Sequence, residues 1–133
     1  MTSAASSKFP KSRHLLKHAD FQRVYQSGRR QFTGNMTVFF LRRSSGAEAA
    51  VAANTPRVGF TVGKVLGGAV ERNRIKRRMR EAVRLSAQAC EGPIDVVFNP
   101  RKSVSKVPFA ELVNEVTRAL RLAAQRARTG EQE

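Results

Sequence analysis

One constellation dominates the residues able to do chemistry in this 133-residue chain. Between Arg72 and Arg84, seven of thirteen positions are cationic: Arg72, Arg74, Lys76, Arg77, Arg78, Arg80 and Arg84. Only Glu71 and Glu81 oppose them, which leaves the stretch from Glu71 to Arg84 a net charge of +5. No core could bury that, and too few carboxylates stand at helical i, i+4 spacing to offset it. A row of guanidinium forks suits phosphate oxygens, so the run points to a nucleic-acid backbone rather than to a merely solvated face.

The remaining constellations are weaker. Gly59-Phe-Thr-Val-Gly63-Lys64-Val65 has the look of a phosphate loop. A Walker A loop, however, places four residues between its first Gly and the Gly-Lys pair and a Ser or Thr after the Lys. Here there are three, followed by Val65. The segment reads as a strand end and a tight turn that leaves Lys64 to contact a phosphate. His14 and His18 stand four apart with neither an HExxH glutamate nor a third ligand, so solvent or RNA contact outweighs a metal site. Cys90, the one cysteine, has no disulfide partner and no ligand at metal spacing, and is expected to be a reduced, partly buried thiol. No pair among the ten Asp and Glu has a spacing that argues for acid/base work. The expectation is a polypeptide with no catalytic residue and no metal ligand of its own.

Aromatics add a second surface. Phe21, Tyr25 and Phe39 would ordinarily be core. Yet Phe39 falls on the strand face opposite Val38 and Phe40, which places it to line a separate groove. Such a groove on a cationic protein could stack the bases of a single strand, each worth about 1–3 kcal/mol.

The whole chain supports a polyanionic partner: its formal charge is +15, its pI about 11.6, and it carries 18 Arg against 7 Lys. An anionic membrane is the rival. No apolar run approaches the roughly 18 residues of a spanning helix, and MTSAASSKFPKSR lacks a signal peptide's apolar region, so the protein is expected in the cytoplasm. An apolar fraction of 41% suffices for one modest core.

Periodicity places the elements that must hold these residues. Residues 1–13 read as a flexible basic arm. A short helix follows from Ala19, capped by Asp20, with Phe21, Val24 and Tyr25 on one face and Gly28 supplying a left-handed C-terminal turn. Residues 36–42 alternate as a strand whose two faces are both apolar. Residues 44–56 read as a long hairpin loop to a second strand over 57–63, with Val58, Phe60 and Val62 on one side and Gly59, Thr61 and Gly63 on the other. The basic segment is then a helix with an apolar stripe of Ile75, Met79, Ala82 and Ser86, ending near Cys90 before Glu91-Gly92-Pro93. Residues 94–99 form a third strand. Pro108 opens a last helix through Phe109, Leu112, Val113, Val116, Leu120 and Ala123 to about Arg126, and residues 127–133 form a disordered tail. The order is αββαβα: a single α+β domain with helices over one face of a mixed sheet.

Three stretches carry a resemblance to a known family: Arg57-Val-Gly-Phe-Thr-Val-Gly-Lys64, the run Gly-Ala-Val-Glu-Arg-Asn-Arg-Ile-Lys-Arg-Arg-Met-Arg-Glu from Gly68 to Glu81, and Asp20-Phe-Gln-Arg-Val-Tyr25. Together they resemble the protein subunit of bacterial ribonuclease P, with one such domain over residues 14–126. The resemblance implies an αβββαβα-type sandwich with a mixed sheet and a left-handed βαβ crossover (ribosomal protein S5 domain 2-like), against the usual right-handed rule. It also implies a ribonucleoprotein endonuclease of tRNA processing that removes the 5′ leader of precursor tRNA. Its partners would be ribonuclease P RNA and precursor tRNA. Its active site would lie in the RNA, with Mg2+ held mainly there and no organic cofactor. On the family's pattern Arg72, Asn73 and Arg74, with Lys64, Lys76, Arg77, Arg80 and Arg84, bind the RNA subunit, while Phe21, Tyr25 and Phe39 line a cleft for the leader. This chain departs from the family at Val65, often Lys, and at Gly68, often Asn; each change removes a polar contact from that loop. Residues 44–56 also make a longer loop than usual. A ribosomal or architectural nucleic-acid-binding protein would explain the charge but needs no leader groove, and a protein-only nuclease would need clustered carboxylates.

Overall fold

The computed structural model describes residues 18–42, 56–86, 89 and 92–129. Within these the order is α1 (His18–Ser27), β1 (Arg29–Phe32), β2 (Met36–Arg42), β3 (Arg57–Phe60), α2 (Ala69–Ser86), β4 (Ile94–Pro100) and α3 (Phe109–Thr129), with 3-10 turns at Lys64–Leu66 and Lys102–Ser105. This is αβββαβα. The extra strand is β1, whose sequence RRQF opens on two arginines and buries Gln31 alone, so it lacks the apolar alternation that reveals a strand.

β4 buries six of its seven residues, the mark of a strand covered on both faces and paired at both edges. The sheet order is β1-β2-β4-β3, with β4 antiparallel to β2 and parallel to β3. The hairpin expected between residues 36–42 and 57–63 is therefore not formed, because β4 lies between the two strands. Adjacency in sequence was outweighed by a strand that needed partners on both sides. The connecting residues 44–55 lie outside the described residues, as do the arm at 1–13, His14 and Cys90.

One face of the sheet closes the main core. Met36, Val38 and Phe40 of β2, Val58 of β3, and Ile94, Val96 and Phe98 of β4 pack with Ile75, Met79, Ala82 and Val83 of α2 and Leu112, Val116 and Leu120 of α3. The predicted stripe of α2 is the buried one, Ser86 included, whose hydroxyl lies 2.8 Å from that of Thr117 where the two helices meet. α2 is described as far as Ser86, and its expected end near Cys90 lies outside the described residues; a positive φ of 114° at Gly92 turns the chain into β4. α3 runs three residues past Arg126, with Ala127 buried in the core. Residues 127–129 are thus helical, and 130–133 lie outside the described residues.

Helices cover both faces, not one. Phe39 and Val97, paired in register, point away from the core, and α1 lies against them with Val24 fully buried. Asp20 does not precede this helix as a cap; it stands inside the first turn. Its carboxylate accepts from Arg23 Nη2 at 2.5 Å and from Arg57 Nη2 at 3.5 Å. Arg57 also donates through Nε and Nη2 to both oxygens of Asp95, at 2.9 and 3.0 Å. The result is a charged network that fastens α1 across β3 and β4. Gly28 is required for closeness rather than for a left-handed turn. Its φ is not positive, but a Cβ there would stand 2.5 Å from the carbonyl oxygens of both Val24 and Phe40.

The β1–β2 turn is held from α3. Glu115, nearly buried, accepts hydrogen bonds from the Thr33 hydroxyl, from the Asn35 backbone N–H at 2.8 Å and from Asn35 Nδ2 at 2.6 Å.

Candidate nucleic-acid interface

The face of the sheet that α1 leaves uncovered is a cleft. Alternation puts Thr37 and Phe39 of β2 there, and register adds Arg30 opposite Phe39, Phe32 opposite Thr37, and Asn99 on the other side of Thr37. Tyr25 reaches in from α1, its ring edge-on to Phe39 with centroids 4.8 Å apart. The Tyr25 hydroxyl donates to Asn99 Oδ1 at 3.0 Å, and the Thr61 hydroxyl donates to the same oxygen at 2.5 Å. One end of the cleft is therefore a polar knot and the middle an aromatic pair. The other edge is basic: Arg30 lies 5.5 Å over the ring of Phe32, which is 64% exposed. Tyr25, Phe39, Arg30 and Arg126 line a depression of about 440 Å³. Phe21 stands one turn before Tyr25 on α1, half-buried.

Of the three predicted cleft residues, the structure brings Tyr25 and Phe39 into contact and sets Phe21 on the same helix face. It adds Arg30, Phe32, Thr37, Thr61, Asn99 and Arg101, the last donating through Nη2 to the Thr37 hydroxyl at 3.3 Å. Arg30 and Phe32 went unnoticed because β1 did. The signal available was the i, i+2 spacing of a cation and an aromatic directly after Gly28.

The cations of α2 divide into two groups. Arg72 Nε donates to the Gly67 carbonyl at 3.1 Å, which ties down the turn that starts the helix. Arg78 Nε donates to the Val104 carbonyl at 2.9 Å and its Nη2 to that of Val107, bridging α2 to the segment before α3. Arg84 donates to both oxygens of Glu81. That hydrogen bonding holds the Glu81 carboxyl below its ordinary pKa, against the opposing effect of burial, and raises that of Arg84. Lys64, Asn73, Arg74, Lys76, Arg77 and Arg80 are exposed, and no side-chain partner engages them among the described residues. The two surfaces meet at one stretch of chain, for Thr61 of the polar knot lies three residues before Lys64, where the turn into α2 begins.

Among the described residues no group of three or more His, Cys, Asp and Glu could hold a metal ion, and no helix is long and apolar enough to cross a membrane. The buried carboxylates are occupied, Asp95 by Arg57 and Glu115 by Thr33 and Asn35.

A family model described as Ribonuclease P matches residues 9–124. The chain belongs to the ribonuclease P protein family. A relative from Desulforapulum autotrophicum, named ribonuclease P protein component, is 39% identical over 111 residues, spanning 84% of this chain and 88% of its own length. The structure of the Staphylococcus aureus RNase P protein aligns with a TM-score of 0.67 at 26% identity, over 85% of this chain and 96% of that one. That of the Thermotoga maritima RNase P protein gives 0.68 at 24% identity, over 82% and 96%, and bears on the fold alone. The mixed four-stranded sheet with its three helices is thus the fold of bacterial ribonuclease P proteins, and the αβββαβα order that the resemblance implied holds, β1 being the strand that periodicity missed.

Proposed function

We propose that this chain is the protein subunit of a ribonucleoprotein endonuclease, ribonuclease P, acting in the cytoplasm to mature the 5′ ends of tRNA. The α2 ridge docks on the catalytic RNA, and the cleft of Tyr25, Phe39 and Phe21 takes the single-stranded leader of the precursor. The observation that carries this reading is the Tyr25–Phe39 pair, held open on a sheet face beside Arg30 and separate from the ridge. A purely architectural binder of nucleic acid would need the ridge alone. Stacking the leader in the cleft favours precursor over mature product, because mature tRNA has no leader to offer. In this reading the magnesium chemistry is supplied by the RNA subunit.

Reconstitution tests the reading. Combined with a bacterial ribonuclease P RNA and precursor tRNA at low magnesium, the chain is expected to increase the rate of leader removal. No gain over the RNA alone would sink it.

The division of the ridge makes its own prediction. Arg74→Ala and Arg77→Ala are each expected to weaken binding to the RNA subunit and to flatten the slope of log affinity against log salt by about 0.7–0.9. Arg78→Ala, whose guanidinium is committed to backbone carbonyls, should leave that slope alone and instead cost about 1–3 kcal/mol of stability. Filter binding across a salt series, with thermal melts alongside, checks both. A slope unchanged by Arg74→Ala would return the ridge to a solvated face.

A further inference from the structure

Phosphate contacts do not account for everything on α2. Beside Arg74, Arg77 and Arg80 lies a groove of about 620 Å³ with apolar as well as charged lining. The apolar part is Val70, 82% exposed on the first turn of the helix, and the ring of Phe109 at the start of α3; Glu81 lines it too, its carboxylate already paired with Arg84. Arg78, also in the lining, is in an unusual state for a surface arginine. Two of its nitrogens already donate to the carbonyls of Val104 and Val107, and its guanidinium carbon stands 5.8 Å from the centroid of the Phe109 ring. What Arg78 brings to the groove is a planar guanidinium held near a ring, with two of its five N–H donors fixed on backbone carbonyls.

A run of backbone phosphates requires none of this, because exposed guanidiniums on a helix suffice. An exposed valine, an aromatic ring and a fixed guanidinium plane lining one groove instead offer surface to a flat apolar ligand. On a face this cationic, that ligand is part of a polyanion. Unpaired nucleobases stack on aromatic rings and on arginine planes, whereas a paired base has both faces covered by its neighbours. We propose that the groove between α2 and the start of α3 takes one unpaired base of the ribonuclease P RNA, with Arg74, Arg77 and Arg80 on the flanking phosphates. The proposal rests on the reading of the ridge as the docking surface for that RNA and adds what the ridge selects: a bulged or helix-terminal nucleotide rather than duplex backbone.

Val70→Ser removes apolar surface at an exposed position that contributes nothing to the core. Binding of the full chain to ribonuclease P RNA is expected to weaken about three- to tenfold with the salt slope unchanged, and Val70→Leu to bind as the native chain does. Dimethyl sulfate probing of the complex should show an unpaired base that the native chain shields and that Val70→Ser leaves reactive. Affinity within about twofold of native, together with an unaltered protection pattern, overturns the proposal. Arg74→Ala, measured in parallel, separates the two levels of inference. If it weakens binding while Val70→Ser does not, the ridge docks on phosphates alone and only the groove is wrong; if neither weakens binding, the reading of the ridge falls as well.

Discussion

Arg57→Ala is expected to destabilise the chain by about 3–5 kcal/mol, the usual cost of leaving a buried charge without its partner. The Asp95 side chain is fully buried, and the Arg57 fork covers both of its oxygens while also reaching Asp20 on α1. Removing the fork takes its bidentate partner from the buried Asp95, while Asp20 keeps its bond to Arg23. Arg23 cannot replace it, since its Nη2 stands 3.6 Å from Asp95 and its side chain is 46% exposed, where pairing is weak. Urea unfolding followed by circular dichroism, at constant high salt to damp the self-repulsion of a +15 chain, measures the loss. Arg57→Lys keeps the charge but not the bidentate geometry and should fall between. A loss below about 1 kcal/mol would show that the network contributes no more than a surface pair. Because Tyr25 rides on α1, the same substitution should damage precursor binding before it damages docking on the RNA subunit.

Tyr25→Ala combined with Phe39→Ala should produce the largest functional loss that leaves the fold intact. The two rings are half-exposed and outside the main core, so their removal chiefly empties the cleft. Each stacked base lost is worth about 1–3 kcal/mol of precursor affinity, while affinity for mature tRNA should hardly change. Binding of holoenzyme to precursor and to mature tRNA, measured side by side, gives the discriminating ratio. Equal losses for the two ligands would point to damaged folding instead of a leader site. Tyr25→Phe refines the assignment. It keeps the ring but deletes the donor to Asn99, so any loss it causes belongs to the polar knot. Phe21→Ala should follow the same pattern with a smaller ratio, as this ring is half-buried beside the cleft.

Which parts were legible in advance follows from the range of the forces involved. The α2 stripe was readable because helical spacing alone decides which of its residues can share a face, and Ile75, Met79, Ala82 and Ser86 are indeed buried. The alternation of β2 was readable for the same reason: Met36, Val38 and Phe40 are buried, and Phe39 is turned the other way. Val58 likewise meets the core, with Phe60 and Val62 packed against it as a period of two requires. Strand pairing was not readable. Nothing local in residues 57–60 says that their neighbour is β4 rather than β2, since ladder hydrogen bonds carry no side-chain identity. β1 was lost because a short edge strand needs little apolar pattern to pair.

The sequence by itself therefore determined the partner class and the elements. A charge of +15 with seven cations in thirteen positions demands a polyanion, and apolar periodicity marks the helices and all strands but one. The tertiary structure alone decided the division of labour. It committed Arg72, Arg78 and Arg84 to carbonyls and a carboxylate while leaving Arg74, Arg77 and Arg80 outward. It also brought Tyr25, Thr61 and Asn99, far apart in the chain, onto one cleft, and put Val70 and Phe109 on one groove. The physical reason is common to all of these. Local periodicity fixes which way a side chain points along its own element, but what it meets there depends on the neighbouring element, and that is chosen by burial summed over the whole sheet.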